Sequence, residues 1–274
     1  MLNSLKVGAG IQVPPNSSRI LHRWGVLPKL MINSMQPEYI AIRSYRDGST
    51  LSLQNLIPLM DDVYGSPYLH VHRATFHAAL CDEATRLGVK FRLGSTVTGI
   101  DFQKPALQVQ GQSEISADFI LGADGLRSAC REALLRKPDL PQTSGDMAYR
   151  VVISTDVMKN HKELVEFAKK PSFNHWIGPG GHAVGYLIAN GSLFNMVIVT
   201  ADKLPNDVLF AKADLDEVCE RFQGWYPAFR LLLRLARETS VWKLRNSIEM
   251  ESWRHPNGTF ALLGDACHAT LPYL

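Results

Sequence analysis

The chain has 274 residues, 46% of them hydrophobic and 20% charged, with a formal net charge of +3. Such a chain is long enough for one large domain or two modest ones and can bury a core without disulfides or metal. Its basic residues are scattered, which argues against nucleic acid as a partner, and no apolar run reaches the roughly 18 residues of a membrane span.

Val7-Gly8-Ala9-Gly10-Ile11-Gln12 has the look of a dinucleotide fingerprint. No strand precedes it, Val13 stands in place of the third glycine, and Pro14-Pro15 should break the helix that must follow. The first helix is expected after Asn16 as N-cap, with Ile20, Leu21 and Trp24 on one face and Gly25 at its end. Residues 39–46 and 49–54 read as strands joined by Asp47-Gly48, a type I′ hairpin signal. A helix is expected over residues 73–87, with Phe76, Leu80, Ala84 and Leu87 as its apolar stripe and Gly88 after it. Residues 89–93, 97–102, 107–110 and 117–121 read as further strands, and a helix follows Ser128.

The character changes near Gly145. Residues 147–154, 173–177, 183–189 and 193–200 are β-rich, and Asn190-Gly191 closes a second hairpin. Helices over residues 214–222 and 227–236 and a strand over 241–245 follow. Phe222, Trp225, Tyr226 and Phe229 read as core rather than as a substrate box. The middle therefore reads as a sheet domain inserted into an α/β domain. The four cysteines are far apart and form no CxxC pair, which predicts reduced thiols, no zinc ribbon and a cytoplasmic location. His70 and His72 share a strand face, but two ligands without a third make a poor metal site.

Two motifs carry chemistry. Residues 119–125 and 262–268 each run from an apolar strand into glycine and aspartate. A carboxylate at that position can accept from ribose hydroxyls, and the glycines let backbone approach a phosphate. The structural alternatives are an Asp-Gly turn at Asp124 and a helix cap at Asp265. Leu-Leu-Gly-Asp also opens the last motif of haloacid-dehalogenase-type phosphatases, but the chain lacks that family's DxDx[TV] nucleophile. Arg73 begins a helix, where a cation opposes the macrodipole, so an anionic partner would explain it.

These residues resemble the two later flavin fingerprints of the group A flavoprotein aromatic hydroxylases. Gly122-Ala123-Asp124-Gly125 resembles the DG motif, and Gly264-Asp265, continued through Pro272, the GD motif. Val7 to Ser18, Val71-His72-Arg73 and Met147-Ala148-Tyr149-Arg150 resemble other segments of the family, with the salicylate-hydroxylase-like branch closest. The resemblance implies an α/β fold: an incomplete FAD/NAD(P)-binding, Rossmann-like domain (residues 1–145 and 246–274) with an inserted mixed β-sheet substrate domain (146–245). It implies FAD as cofactor, NAD(P)H as cosubstrate, and O2 and a small phenolic or aromatic molecule as substrates. Gly264 and Asp265 would meet the ribityl chain, Asp124 and Gly125 the loop between the flavin and nicotinamide pyrophosphates, and Arg73 the flavin pyrophosphate. Ala9 and Gly10 would lie along the adenosine or flavin side, and His268 and Pro272 in a loop passing the flavin. Arg150 and Tyr186 would hold the phenolic oxygen. The family's GxGxxG is absent, so the chain is expected to be an internal piece, inactive alone. A non-catalytic flavoprotein remnant and another flavin oxidoreductase on the same scaffold remain open, although the halogenase segment Trp-x-Trp-x-Ile is not found.

Overall fold

The computed structural model describes residues 10–272. Its first elements are β1 (Gly10–Val13), α1 (Pro15–Arg23) and α2 (Leu27–Met31). The two prolines do not break α1; they open it. Pro14 caps the helix in an extended conformation, and Pro15 takes the first helical position, where a missing N–H has no intrahelical partner to lose. Asn16, expected as the cap, therefore lies inside the first turn. The packed face is Pro15, Ser18 and Leu21. Ile20 and Trp24, expected beside Leu21, are exposed.

β2 (Tyr39–Ser44) and β3 (Thr50–Asn55) pair antiparallel, with an irregularity between Ile42 and Arg43. Their connection is five residues long rather than two. Asp47 shapes it by accepting from the Ser49 N–H and hydroxyl at 3.0 and 2.7 Å, an Asx-type turn. After α3 (Leu59–Tyr64) and β4 (Leu69–His72), α4 (Arg73–Arg86) is capped by His72, whose Nδ1 accepts from the Ala74 N–H. This helix buries Ala79 and Glu83, while Leu87 of the expected stripe is exposed. The Arg86 guanidinium, helped by Lys29, holds the Glu83 carboxyl at about 2 against the opposing pull of burial.

β5 (Val97–Asp101), β6 (Ala106–Val109), β7 (Ile115–Ser116), β8 (Ile120–Gly122) and α5 (Ala129–Leu135) follow. The strand expected over residues 89–93 is not formed. Val89, Phe91 and Leu93 are exposed, and no described strand lies beside them to take their backbone hydrogen bonds.

The remainder is β9 (Gln142–Ser154), α6 (Thr155–Met158), α7 (Val165–Lys169), β10 (Ser172–Gly178), β11 (Gly181–Ile188), β12 (Leu193–Ala201), β13 (Phe210–Ala213), α8 (Leu215–Arg221), α9 (Pro227–Leu235), β14 (Thr239–Asn246), β15 (Phe260–Leu262) and α10 (Asp265–His268). An eight-stranded mixed sheet runs in the order β13-β14-β9-β12-β11-β10-β2-β3. β10 and β2 are parallel, while β10–β11 and β11–β12 are antiparallel. The side chains of Trp176, Phe194, Met196 and Ile198 join Phe222, Trp225, Tyr226 and Phe229 in the main core. The Trp176 indole N–H donates to the Tyr226 hydroxyl at 2.8 Å, satisfying a polar atom that burial would otherwise strand. The aromatic cluster read from the sequence as core is therefore core.

The chain forms two compact units. One combines the stretch ending at Val89 with Met147–Trp242, and the other combines Lys90–Asp146 with the stretch from Lys243 onward. The second holds the antiparallel β5–β6–β7 and the parallel pair β8–β15, in register from Ile120↔Phe260 to Gly122↔Leu262.

Candidate cofactor and substrate residues

In the second unit both Gly-Asp motifs sit at the ends of β8 and β15. Ile120, Phe260, Leu262, Ala266 and Cys267 form the buried cluster beneath them. Gly122 is a glycine because a Cβ there would lie 2.8 Å from that of Cys130, so it lets α5 approach. Asp124 is engaged locally. One oxygen accepts from the Ser128 hydroxyl at 2.5 Å and the other from the Cys130 N–H at 3.0 Å. Burial pushes this carboxyl up, but the bonds from Cys130 and Ser128 outweigh it and leave the pKa below the usual carboxylate range.

Asp265 differs. Gly264, at φ +63° and ψ −141°, turns the chain into α10, and Asp265 is the first helical residue. Its carboxylate is exposed and accepts no hydrogen bond among the described residues. Gly125 has a positive φ and open space around it. His268 is exposed, and its ring stacks on Trp253 at 5.0 Å.

Sequence reasoning missed Arg131. Its buried guanidinium donates to Asp139 at 2.5 Å, to the Cys267 carbonyl at 2.8 Å and to the Ile248 carbonyl at 2.5 Å. It ties the helix after the first motif to the helix after the second. The signal was available, because a cation in the first turn of α5 opposes the macrodipole just as Arg73 does in α4.

In the first unit β1 pairs with β4, setting Gly10 opposite His72 and Gln12 opposite His70. The Gly10 N–H donates to Asn195 Oδ1 at 3.0 Å, and a Cβ on Gly10 would lie 2.5 Å from the Tyr186 ring. The space freed by this glycine is thus filled by Tyr186. Ala9 lies outside the described residues. Tyr186 is buried, which pushes its phenol well above the usual range, with Gln12 and Arg150 pulling weakly the other way. The Tyr68 hydroxyl donates to Gln12. His70 is fully buried, 4.4 Å from the Tyr186 ring and 5.6 Å from that of Tyr68. Neither of its ring nitrogens has a described partner, and burial pushes its pKa down to about 3. Gln12, Tyr68 and His70 gather around Tyr186 through strand pairing, which local sequence does not announce.

Arg150 on β9 is half-buried. Its guanidinium carbon sits 4.7 Å over the Trp242 ring, and its pKa is lowered by burial and then by the Arg73 charge. Neither arginine forms an ion pair with a described carboxylate. Arg150, Arg73 and Tyr186 are therefore electrostatic neighbours, and the two cations lack an anion. Arg150 and Trp242 also line a cavity of 450 Å³.

The sequence profile of the FAD binding domain family matches residues 13–274. The chain belongs to that family. It is 39% identical over 274 residues to the FAD-dependent monooxygenase OpS4 of Beauveria bassiana (strain ARSEF 2860), covering 98% of this chain and 64% of that protein. It is 30% identical over 277 residues to the 6-hydroxynicotinate 3-monooxygenase of Pseudomonas fluorescens, covering 98% of this chain and 68% of that protein. The fold matches a salicylate hydroxylase substrate complex with a TM-score of 0.81 at 24% identity, covering 97% of this chain and 67% of that one. The chain thus spans 64% and 68% of the lengths of these two curated relatives. Its α/β elements and large mixed sheet match that solved fold. No helix among the described residues is long and apolar enough to cross a membrane.

Proposed function

We propose that the chain supplies the flavin-contacting and substrate-contacting residues of an FAD-dependent monooxygenase that hydroxylates a small phenolic or aromatic molecule with NAD(P)H and O2 in a reducing, cytoplasmic setting. In this reading residues 1–145 and 246–274 serve the cofactor and residues 146–245 the substrate. The residues present fit FAD. Asp265 offers an exposed, unbonded carboxylate for ribityl hydroxyls, at a turn that Gly264 keeps open. Gly125 leaves its backbone accessible, and Arg73 presents to a pyrophosphate a cation with no ion pair among the described residues. Asp124, with both oxygens engaged on α5, acts by fixing the loop that carries Gly125. When bound, FAD supplies the oxygen chemistry.

The observation that carries the reading is the Arg150 guanidinium, which has no ion pair among the described residues and lies within electrostatic reach of the buried phenol of Tyr186. Tyr186, with its raised pKa, stays protonated at neutral pH and can donate to an oxygen on the ring. Arg150 stabilises that oxygen as phenolate, each charged hydrogen bond contributing about 1.5–3 kcal/mol. A phenolate directs electron density onto the neighbouring ring carbon, which is what hydroxylation requires. The test is Arg150→Ala in the chain extended to the length of its curated relatives, of one of which it spans 64%. It is expected to keep FAD, read from visible absorbance, and to hydroxylate 6-hydroxynicotinate or salicylate at least tenfold more slowly than the parent. Hydroxylation at the parent rate would remove Arg150 from the mechanism.

A further inference from the structure

The eight-stranded sheet has two edges, and only one is guarded. β13 is four residues long and carries the exposed Lys212, and both features discourage a further strand. β3 is six residues long, every one of them exposed and none of them charged. Leu51 and Leu53 stand on one face of it, 59% and 54% exposed. The Leu56 N–H donates to the Glu38 carbonyl at 2.8 Å, and Ser52 to Asn55 pair with β2 in unbroken register. Peptide groups alternate in direction along an antiparallel ladder, so those of Leu53 and Asn55 point away from β2. The exposed Gln54 amide donates to the Asn55 carbonyl, and no strand among the described residues pairs with this side of β3. The flanks of the strand carry opposite charge. Arg46, in the turn before it, is exposed and lies over the Tyr45 ring, while its neighbour Asp47 is occupied by Ser49. Asp61 and Asp62 follow it, exposed in α3.

We propose that β3 pairs with β3 of a second copy of this chain, antiparallel about a two-fold axis at Leu53, so that two eight-stranded sheets become one. About that axis Leu53 faces its own counterpart, and Leu51 faces Asn55 of the other copy. The outward peptide groups then meet at the hydrogen-bonded positions of the ladder. Leu51 and Leu53 of both copies cover one another in a single apolar strip. Reversal of the strand brings the Arg46 flank of each copy to the Asp61 and Asp62 flank of the other, so the edge is self-complementary in charge as well as in hydrogen bonding. A parallel pairing would instead set Arg46 against Arg46, and like charges placed opposite each other are unfavourable.

The experiment is sedimentation velocity of residues 1–274 over a range of micromolar concentrations. The parent is expected to form a dimer. Leu53→Lys places two like charges on the axis and should raise the dissociation constant at least tenfold. Its circular dichroism spectrum should match the parent's, because the replaced side chain is exposed. Arg46→Glu should weaken the dimer threefold or more, and adding Asp61→Lys and Asp62→Lys to Arg46→Glu should regain most of that loss. A monomeric parent would overturn the proposal, as would a dimer indifferent to Leu53→Lys or to Arg46→Glu, whose interface would lie elsewhere. A dimer that disappears in the chain extended to the length of its curated relatives would assign this edge to the added segment, and would overturn it too.

Discussion

Asp124 and Asp265 stand at equivalent points of two similar motifs, yet their surroundings divide their work. Asp124 receives hydrogen bonds on both oxygens from the first turn of α5, whereas Asp265 receives none among the described residues. A carboxylate already satisfied by its own helix has little capacity left for a ligand, while an unsatisfied one at a glycine turn has all of it. The two residues should therefore respond differently to the same change. Asp124→Ala removes a helix-start interaction of about 1 kcal/mol and should lower the melting temperature. Asp265→Ala should leave the melting temperature within a degree or so of the parent and weaken FAD binding in a fluorescence titration. If Asp124→Ala melts like the parent, the hydrogen bonds at α5 contribute nothing to stability. Which aspartate would be engaged was not legible from sequence, because Gly-Ala-Asp-Gly and Leu-Gly-Asp read alike until the neighbouring helix is placed.

At the scale of elements, most helices and strands were legible because their signals are local. Ser128, Asp214 and the apolar alternation of β10 to β12 announce themselves. The failures have a common cause in context. Pro14-Pro15 looks like a breaker because proline is excluded from helix interiors, but the helix begins at Pro15, where proline is favoured. Residues 89–93 have strand-like composition and no described neighbour, and composition alone does not make a strand. Gly10 looks like a glycine for a ligand, and what fills its space is Tyr186, on a strand beside that of Asn195, 185 positions along the chain from Gly10. Arg131 is the most consequential of these long-range ties, since it joins α5 and α10 through a buried ion pair and two carbonyls. Removing one partner of such a pair strands the other, at a cost of about 3–5 kcal/mol. Arg131→Met should therefore lower the urea midpoint of the second unit sharply. A loss below about 1 kcal/mol would mean that Asp139 and the two carbonyls find other partners, and that α5 and α10 do not depend on this residue.

For the molecule as a whole, the division into two units sets where acid should act first. His70 lies in the first unit, fully buried, with a folded pKa of about 3. His175, in the same unit, is also lowered by burial and by the neighbouring charge of His182. An unfolded histidine titrates near about 6.5. Between that value and the folded pKa, the unfolded chain binds a proton that the folded chain does not. Stability is therefore full above about pH 6.5 and falls as pH drops through the window toward about 3. For His70 alone the slope reaches about 1.4 kcal/mol per pH unit, which amounts to about 2 kcal/mol by pH 5. In the second unit, Asp124 is lowered through its Cys130 and Ser128 bonds against an upward pull from burial, and Asp101 through its bonds from the Lys104 and Gln103 N–H groups. Depressed carboxylates have the opposite onset. Their contribution persists down to the unfolded carboxylate pKa near about 4 and is lost only below it. Moving from pH 7 to pH 5 should thus loosen the first unit and spare the second. Hydrogen exchange, corrected for the intrinsic pH dependence, is expected to show reduced protection in peptides from residues 10–89 and 147–201 at pH 5. Peptides from residues 97–135 should keep theirs, and His70→Leu should remove most of the difference. Equal loosening of both units, or a first unit as well protected at pH 5 as at pH 7, would show that the buried imidazole of His70 does not govern acid stability.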